Sequence, residues 1–273
     1  MKVFISADIE GVSGVVGREH TARDGKEHDL ARKLMTDEVN ACIEGTLQEG
    51  AREIVVNDSH GTMRNILQDY LFSEAELILG SPKKLAMMEG IDETFDAAFF
   101  VGYHTRMGAD GILNHTFSGR IIKSILINGV EYGEFGINAL VAGYYGVPVV
   151  FVSGCDLLVN EVVTYVPNIQ RAVVKKTINR TSAQNLHPIK ARSIIREKSA
   201  AALSTMASMS PFVIDTPLNV QVEFLNTGLA DAAEILPVVE RLTPLAVNFI
   251  SNDIIESYRL IRSLIMMANS TLS

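Results

Sequence analysis

Three short β-branched or aromatic runs, residues 2–7, 53–56 and 97–101, alternate with helix-patterned sequence through the first half of the chain. Strands that alternate with helices build βαβ units, so the fold expected is α/β, with a largely parallel N-terminal sheet flanked by helices. Each run also ends in side chains able to ligate a metal. Asp8 and Glu10 follow the first, Asn57-Asp58-Ser59-His60 the second, and Gly102-Tyr103-His104 the third. In open α/β sheets ligands bind beyond the carboxyl ends of the strands, so these segments converge if their strands are neighbours. Carboxylate and imidazole together suit zinc.

The connecting segments carry their own signals. Leu30, Leu34, Val39, Cys42, Ile43 and Leu47 recur at helical spacing over residues 29–49, with Gly50 where a left-handed cap belongs. Residues 120–127 read as a strand, Asn128-Gly129 as a tight hairpin turn into Val130-Glu131-Tyr132, and a helix starts near Gly133-Glu134. The stretch 135–155 lacks formal charge and has the length of a membrane span. Asn138, Gly143, Gly146 and Pro148 divide it instead into a helix ending near Tyr145-Gly146 and a strand over 147–152.

Beyond Pro167 the pattern gives a strand at 172–175, a helix at 188–206, a strand at 219–224, a helix at 230–236, a strand at 245–249 and a final helix from Asp253. Two units are expected, a metal-binding α/β catalytic domain over 1–167 and a smaller C-terminal α+β subdomain over 168–273.

Composition narrows the function classes. A net charge of −8 opposes a phosphate-binding surface, so no nucleic-acid partner is expected, and Lys175-Lys176 reads as a solvated strand end. Cys42 and Cys155 stand in no paired motif, so neither a disulfide framework nor a thiolate zinc site is suggested, and a reducing compartment fits. Asp8 and Glu10 interrupt the N-terminal apolar run before it reaches signal-peptide length, so a cytoplasmic protein without a membrane partner is expected.

Taken singly, the site residues have ordinary explanations. Asp8 and Glu10, two apart, project to one face of an extended segment, and such pairs are commonly solvated. His60 reads as a loop or capping histidine, His104 as a buried one, and Glu134 as a first-turn carboxylate favoured by the helix dipole. His115 alternates with apolar neighbours in a possible strand and reads equally as half-buried structure. Asp58 is either a turn aspartate or a partner of a ligand imidazole. His20, His28 and His187 read as surface residues. Asp8, Glu10, His60 and His104 gain weight together, because they sit at the ends of separate strands.

Asp8-Ile9-Glu10-Gly11, Asn57-Asp58-Ser59-His60, Gly102-Tyr103-His104, Asn114-His115 and residues 133–139, Gly-Glu-Phe-Gly-Ile-Asn-Ala, occur in an order and spacing that resembles the bacterial zinc-dependent D-aminopeptidases of dipeptide-transport operons. The resemblance spans nearly the whole chain. It implies two Zn(2+) ions per subunit on Asp8, Glu10, His60, His104 and Glu134, with Asp8 bridging, and His115 as a catalytic residue. It further implies a metallo-aminopeptidase that removes the N-terminal residue, a D-amino acid, from short peptides, and a homodecamer of two stacked pentameric rings. A binuclear zinc pair supplies the nucleophile and polarises the carbonyl, and a free histidine moves the proton to the leaving amine. Cys155, in Ser153-Gly154-Cys155-Asp156, departs from the resemblance, since an acidic residue is expected there; the departure bears on substrate preference or on the structure around the ligands, and not on the metal set or the chemistry. The alternatives are a binuclear-zinc amidohydrolase or deacylase acting on a non-peptide amide, and a non-catalytic metal- or peptide-binding assembly protein.

Overall fold

The computed structural model describes residues 1–272. Strand β1 (Lys2–Ala7) is buried from Val3 onward, as expected of a strand covered on both faces of a parallel sheet. A short helix α1 (Arg18–Thr21) precedes α2 (His28–Gln48), which ends before Gly50 at φ +86°. Leu30, expected on the packed face of α2, is exposed instead; the helix buries Ala31, Met35, Val39 and Cys42. The chain continues through β2 (Glu53–Asp58), β3 (Ala75–Ile78) and β4 (Ala97–Tyr103), then β5 (Ile122–Ile127) and β6 (Val130–Glu131). After α3 (Glu134–Tyr144) come β7 (Val149–Cys155), α4 (Asp156–Val162), β8 (Gln170–Asn179), β9 (Ser182–Asn185) and α5 (Pro188–Thr205). The chain closes with β10 (Leu218–Phe224), α6 (Thr227–Ala233), β11 (Glu240–Thr243), β12 (Ala246–Ser251) and α7 (Ile254–Asn269).

One sheet has seven strands in the order β3-β2-β1-β4-β7-β8-β9, parallel except where β9 folds back on β8. From β1 the chain builds outward through β2 and β3 on one side and through β4, β7 and β8 on the other. The reversal point of such a sheet opens a crevice at the carboxyl ends. Ala7 is level with Asp58 of β2 and with Val101 of β4, so the segments that follow these strands leave the sheet side by side.

The second sheet is antiparallel, with five strands in the order β11-β12-β10-β5-β6. Asn128 and Gly129 both have positive φ, 51° and 79°, as the two-residue β5–β6 turn requires. Asp253 caps α7 by accepting the Glu256 N–H. Sheet membership crosses the boundary expected at residue 167 in both directions: β8 and β9 extend the first sheet, and β5 and β6 belong to the second. The uncharged 135–155 stretch is the bulk of α3 followed by β7, both buried in the core. Among the described residues no helix is long and apolar enough to cross a membrane.

Candidate metal centre

Two glycines let the chain beyond β1 pass directly over the end of β4. A Cβ on Gly11 would stand 2.0 Å from the Tyr103 carbonyl oxygen, and one on Gly102, at φ +71°, 2.2 Å from that of Asp8. The Gly11 N–H donates to the Gly102 carbonyl at 2.8 Å, and the Asp8 N–H to that of Val101 at 2.8 Å. This close passage sets Asp8 and Glu10 against His104. His60 reaches the same place from the loop after β2, and Glu134 from the first turn of α3.

His115 also arrives, though not on a strand. Leu113 and Phe117 flank it at φ 52° and 55°, left-handed values that an extended strand cannot contain, so the expected strand is a folded loop. The loop stacks the His115 ring on that of His104, centroids 4.2 Å apart.

The distances define two groups that meet at Asp8. His60 Nδ1 lies 3.2 Å from Asp8 Oδ1 and 3.0 Å from Glu10 Oε2. On the other side, His104 Nε2 lies 3.5 Å from Asp8 Oδ2 and 3.6 Å from Glu134 Oε1, which is also 3.6 Å from His115 Nε2. Each histidine gives its other ring nitrogen to a main-chain carbonyl: His60 Nε2 to Thr21 at 2.8 Å, His104 Nδ1 to Thr105 at 2.9 Å, and His115 Nδ1 to Leu113 at 3.0 Å. A carbonyl only accepts, so those nitrogens carry protons and the opposite nitrogens face the carboxylates.

Ionisation follows from crowding. Burial, then the neighbouring Glu10, push the Asp8 carboxyl up to about 7. Burial opposes charge on His104, but Glu134 and Asp8 outweigh it and carry the imidazole up to about 10. Burial likewise opposes charge on His60, yet Glu10 and Asp8 hold it well above its ordinary value. Glu10 and Glu134 sit below the usual carboxylate range because the histidines overcome their burial. His115 moves the other way, lowered by burial and by His104 beside it.

The cluster therefore draws positive charge, and its donors fit a metal ion. His104 Nε2 is buried without a hydrogen-bond partner, a costly state for a polar atom, and Glu10 Oε2, equally buried, has only His60 Nδ1 beside it, at 3.0 Å. Donors about 2.0–2.1 Å from one tetrahedral zinc stand roughly 3.3 Å from each other, close to the spacings across both groups. Asp8, Glu10 and His104 could share an ion, and so could His104, His115 and Glu134.

Residues 1–263 match the family model described as D-aminopeptidase. The chain belongs to the D-aminopeptidase family. A D-aminopeptidase of Bacillus subtilis is 37% identical over 260 residues, which cover 95% of this chain and 94% of that protein. Among solved structures, the Zn-dependent D-aminopeptidase DppA from Bacillus subtilis, a self-compartmentalizing protease, matches with a TM-score of 0.97 at 36% identity, over 99% of each chain. The α/β class and the aminopeptidase class expected from the sequence are those of this family.

Several surrounding residues differ from their expected roles. Asp58 touches no imidazole; its Oδ2 accepts the Ile66 N–H at 2.7 Å and its Oδ1 the Asn65 side-chain amide at 2.8 Å, so it shapes the loop that carries His60. His28 is buried rather than at the surface, with Nδ1 2.9 Å from the His20 carbonyl. The carbonyls of Thr21, Thr105 and Leu113, which orient the three imidazoles, escape sequence reasoning because every residue carries such an acceptor. Lys175 is buried, not solvated. Behind the centre, Ser6 Oγ lies 2.7 Å from Tyr103 Oη, which accepts the Asn138 amide at 2.9 Å, binding β1, β4 and α3 into one polar network.

Proposed function

We propose that this protein is a zinc D-aminopeptidase with a binuclear centre: Glu10 and His60 hold one ion, His104 and Glu134 the other, and Asp8 bridges them. The carrying observation is that the two oxygens of Asp8 face different histidines, with Glu10 Oε2 against one of them and Nε2 of the other buried and unpaired. Zinc bound there supplies a hydrolytic nucleophile at neutral pH and polarises the scissile carbonyl. His115 is the catalytic side chain. Its Nδ1–H is fixed on the Leu113 carbonyl, so Nε2 presents a lone pair to the site. Burial and His104 favour its neutral form, which accepts a proton during attack and returns it to the leaving amine.

Short peptides with a free amino terminus are the substrates, with a D-residue first, as the names of the two relatives support. Assay of D-Ala-D-Ala, L-Ala-L-Ala and N-acetyl-D-alanine tests this reading. Release of alanine from the unblocked D-peptide is expected, at a rate far above the other two. Turnover of the N-acyl compound alone would transfer the site to the amidohydrolases.

The same reading makes the working form a homodecamer in the cytoplasm, supported by the self-compartmentalizing relative and by two buried, unpaired cysteines, Cys42 and Cys155. Light scattering at micromolar concentration is expected to give ten times the 29.8 kDa chain mass. A monomer rules the assembly out.

A further inference from the structure

The turn that carries Glu10 is held from beneath by Lys175 of β8, a residue only 1% exposed. A buried ammonium is costly unless its three N–H donors all find acceptors. Nζ donates to the main-chain carbonyls of Glu10 at 2.5 Å, Val12 at 2.9 Å and Val15 at 2.6 Å. Two tight turns bring these oxygens together, closed by the Val12 N–H on the Ile9 carbonyl and the Val15 N–H on that of Val12, each at 3.1 Å. Hydrogen bonds from a charged donor are roughly twice as strong as neutral ones, so the lysine is the firmest restraint on this segment.

Further ties reach the segment from α2, β9 and the residue after β9. Ser13 Oγ donates to the Leu186 carbonyl at 2.7 Å, the Ser13 N–H to Glu38 Oε1 of α2 at 2.9 Å, and the Gly14 N–H to Asn185 Oδ1 of β9 at 2.9 Å. Asp8 differs from Glu10 in this respect. Its backbone is still bonded to Val101, and its Oδ1 accepts the Ile9 N–H at 2.9 Å, so it is fixed by the sheet end itself. Glu10 lies past the strand ladder; the Gly11 N–H after it still reaches the Gly102 carbonyl, but the carbonyl of Glu10 itself rests on the lysine.

We propose that Lys175 is a positioning residue that, by holding the Glu10 carbonyl, aims the Glu10 carboxylate at the ion shared with His60 and so sets the affinity of that ion and not of the other. The inference rests on the binuclear reading above. Metal-free protein titrated with zinc against a chromophoric chelator resolves the two affinities. Lys175→Met keeps the bulk of the stem and removes all three donors; one site is expected to weaken by roughly ten- to a hundredfold, the scale for losing a residue that orients a ligand, while the other stays within about twofold of wild type. Lys175→Gln, which retains two donors, is expected to fall between, and it decides alone if the Met variant does not fold. Val247→Ala, a core truncation in β12 of the other sheet, controls for lost stability and is expected to weaken neither site. A folded Met or Gln variant with both sites unchanged, or with both weakened equally, overturns the inference. Wild-type protein that binds fewer than two zinc ions overturns the binuclear reading instead.

Discussion

Chelation is expected to abolish turnover, added zinc to restore it, and Glu10→Gln and His104→Ala each to lose bound metal along with activity. The expected loss is the entire hydrolytic rate, because the nucleophile at neutral pH depends on the metal. Elemental analysis beside an activity assay measures both quantities on one sample. Peptide hydrolysis by wild-type protein purified without chelators and carrying no transition metal would falsify the binuclear centre. The pH dependence has a definite sign. In metal-free protein His104 titrates near 10 and His60 well above its ordinary value, so both carry protons at neutral pH and zinc must expel them. Zinc affinity therefore rises with pH, by up to about tenfold per pH unit for each proton displaced. Below about 7 Asp8 also takes up a proton, and the affinity falls more steeply. Zinc titrations at about pH 6, 7.5 and 9 measure the slope, and a flat profile would contradict protonated ligands.

His115→Ala is expected to lower turnover by roughly a hundredfold or more, the scale for one proton-transfer or oxyanion-stabilising group, with zinc content near that of wild type. The stacked ring of His104 makes a sharper test than activity alone, since His115 Nε2 is as near Glu134 as His104 Nε2 is. If His115 is a ligand, metal leaves with activity. If it only packs, the melting temperature falls while the folded fraction keeps its specific activity. Zinc per chain, melting temperature and turnover from one preparation separate these outcomes, and full turnover with full zinc removes His115 from the reaction.

What the sequence made legible was the part governed by short-range pattern. Residues 2–7, 53–56 and 97–101 lie in adjacent strands whose ends coincide, and Asn128-Gly129 forms the turn that its dihedral preferences demand. The strands β9 and β11 escaped because each sits at a sheet edge, where Ser182–Asn185 and Glu240–Thr243 need no apolar alternation. Lys175 was misjudged for a different reason. A lysine beside another lysine looks solvated in one dimension, and the acceptors that make it internal lie about 160 positions earlier in the chain. Asp58 shows the same limit on a smaller scale: two functions shared one local pattern, and only the path of residues 59–66 decided between them. The roles proposed for Glu134 as a ligand and His115 as a catalytic group could be suggested by resemblance alone, since their neighbours in sequence offer each a structural explanation.

The path between β4 and α3 has a mechanical consequence. After His104 the chain leaves the parallel sheet, lays β5 and β6 into the antiparallel one, and returns with Glu134 as the first residue of α3. Asp8, Glu10, His60 and His104 thus hang from one sheet, whereas His115 and Glu134 lie on the excursion through the other. The 3.6 Å gap from His104 Nε2 to Glu134 Oε1 is thus closed only by a chain path that runs through both sheets, whereas the 3.0 Å gap from His60 to Glu10 joins two loops of one sheet. One side of the cluster therefore draws on the parallel sheet alone, and the other is complete only when the excursion through the antiparallel sheet has been closed by α3.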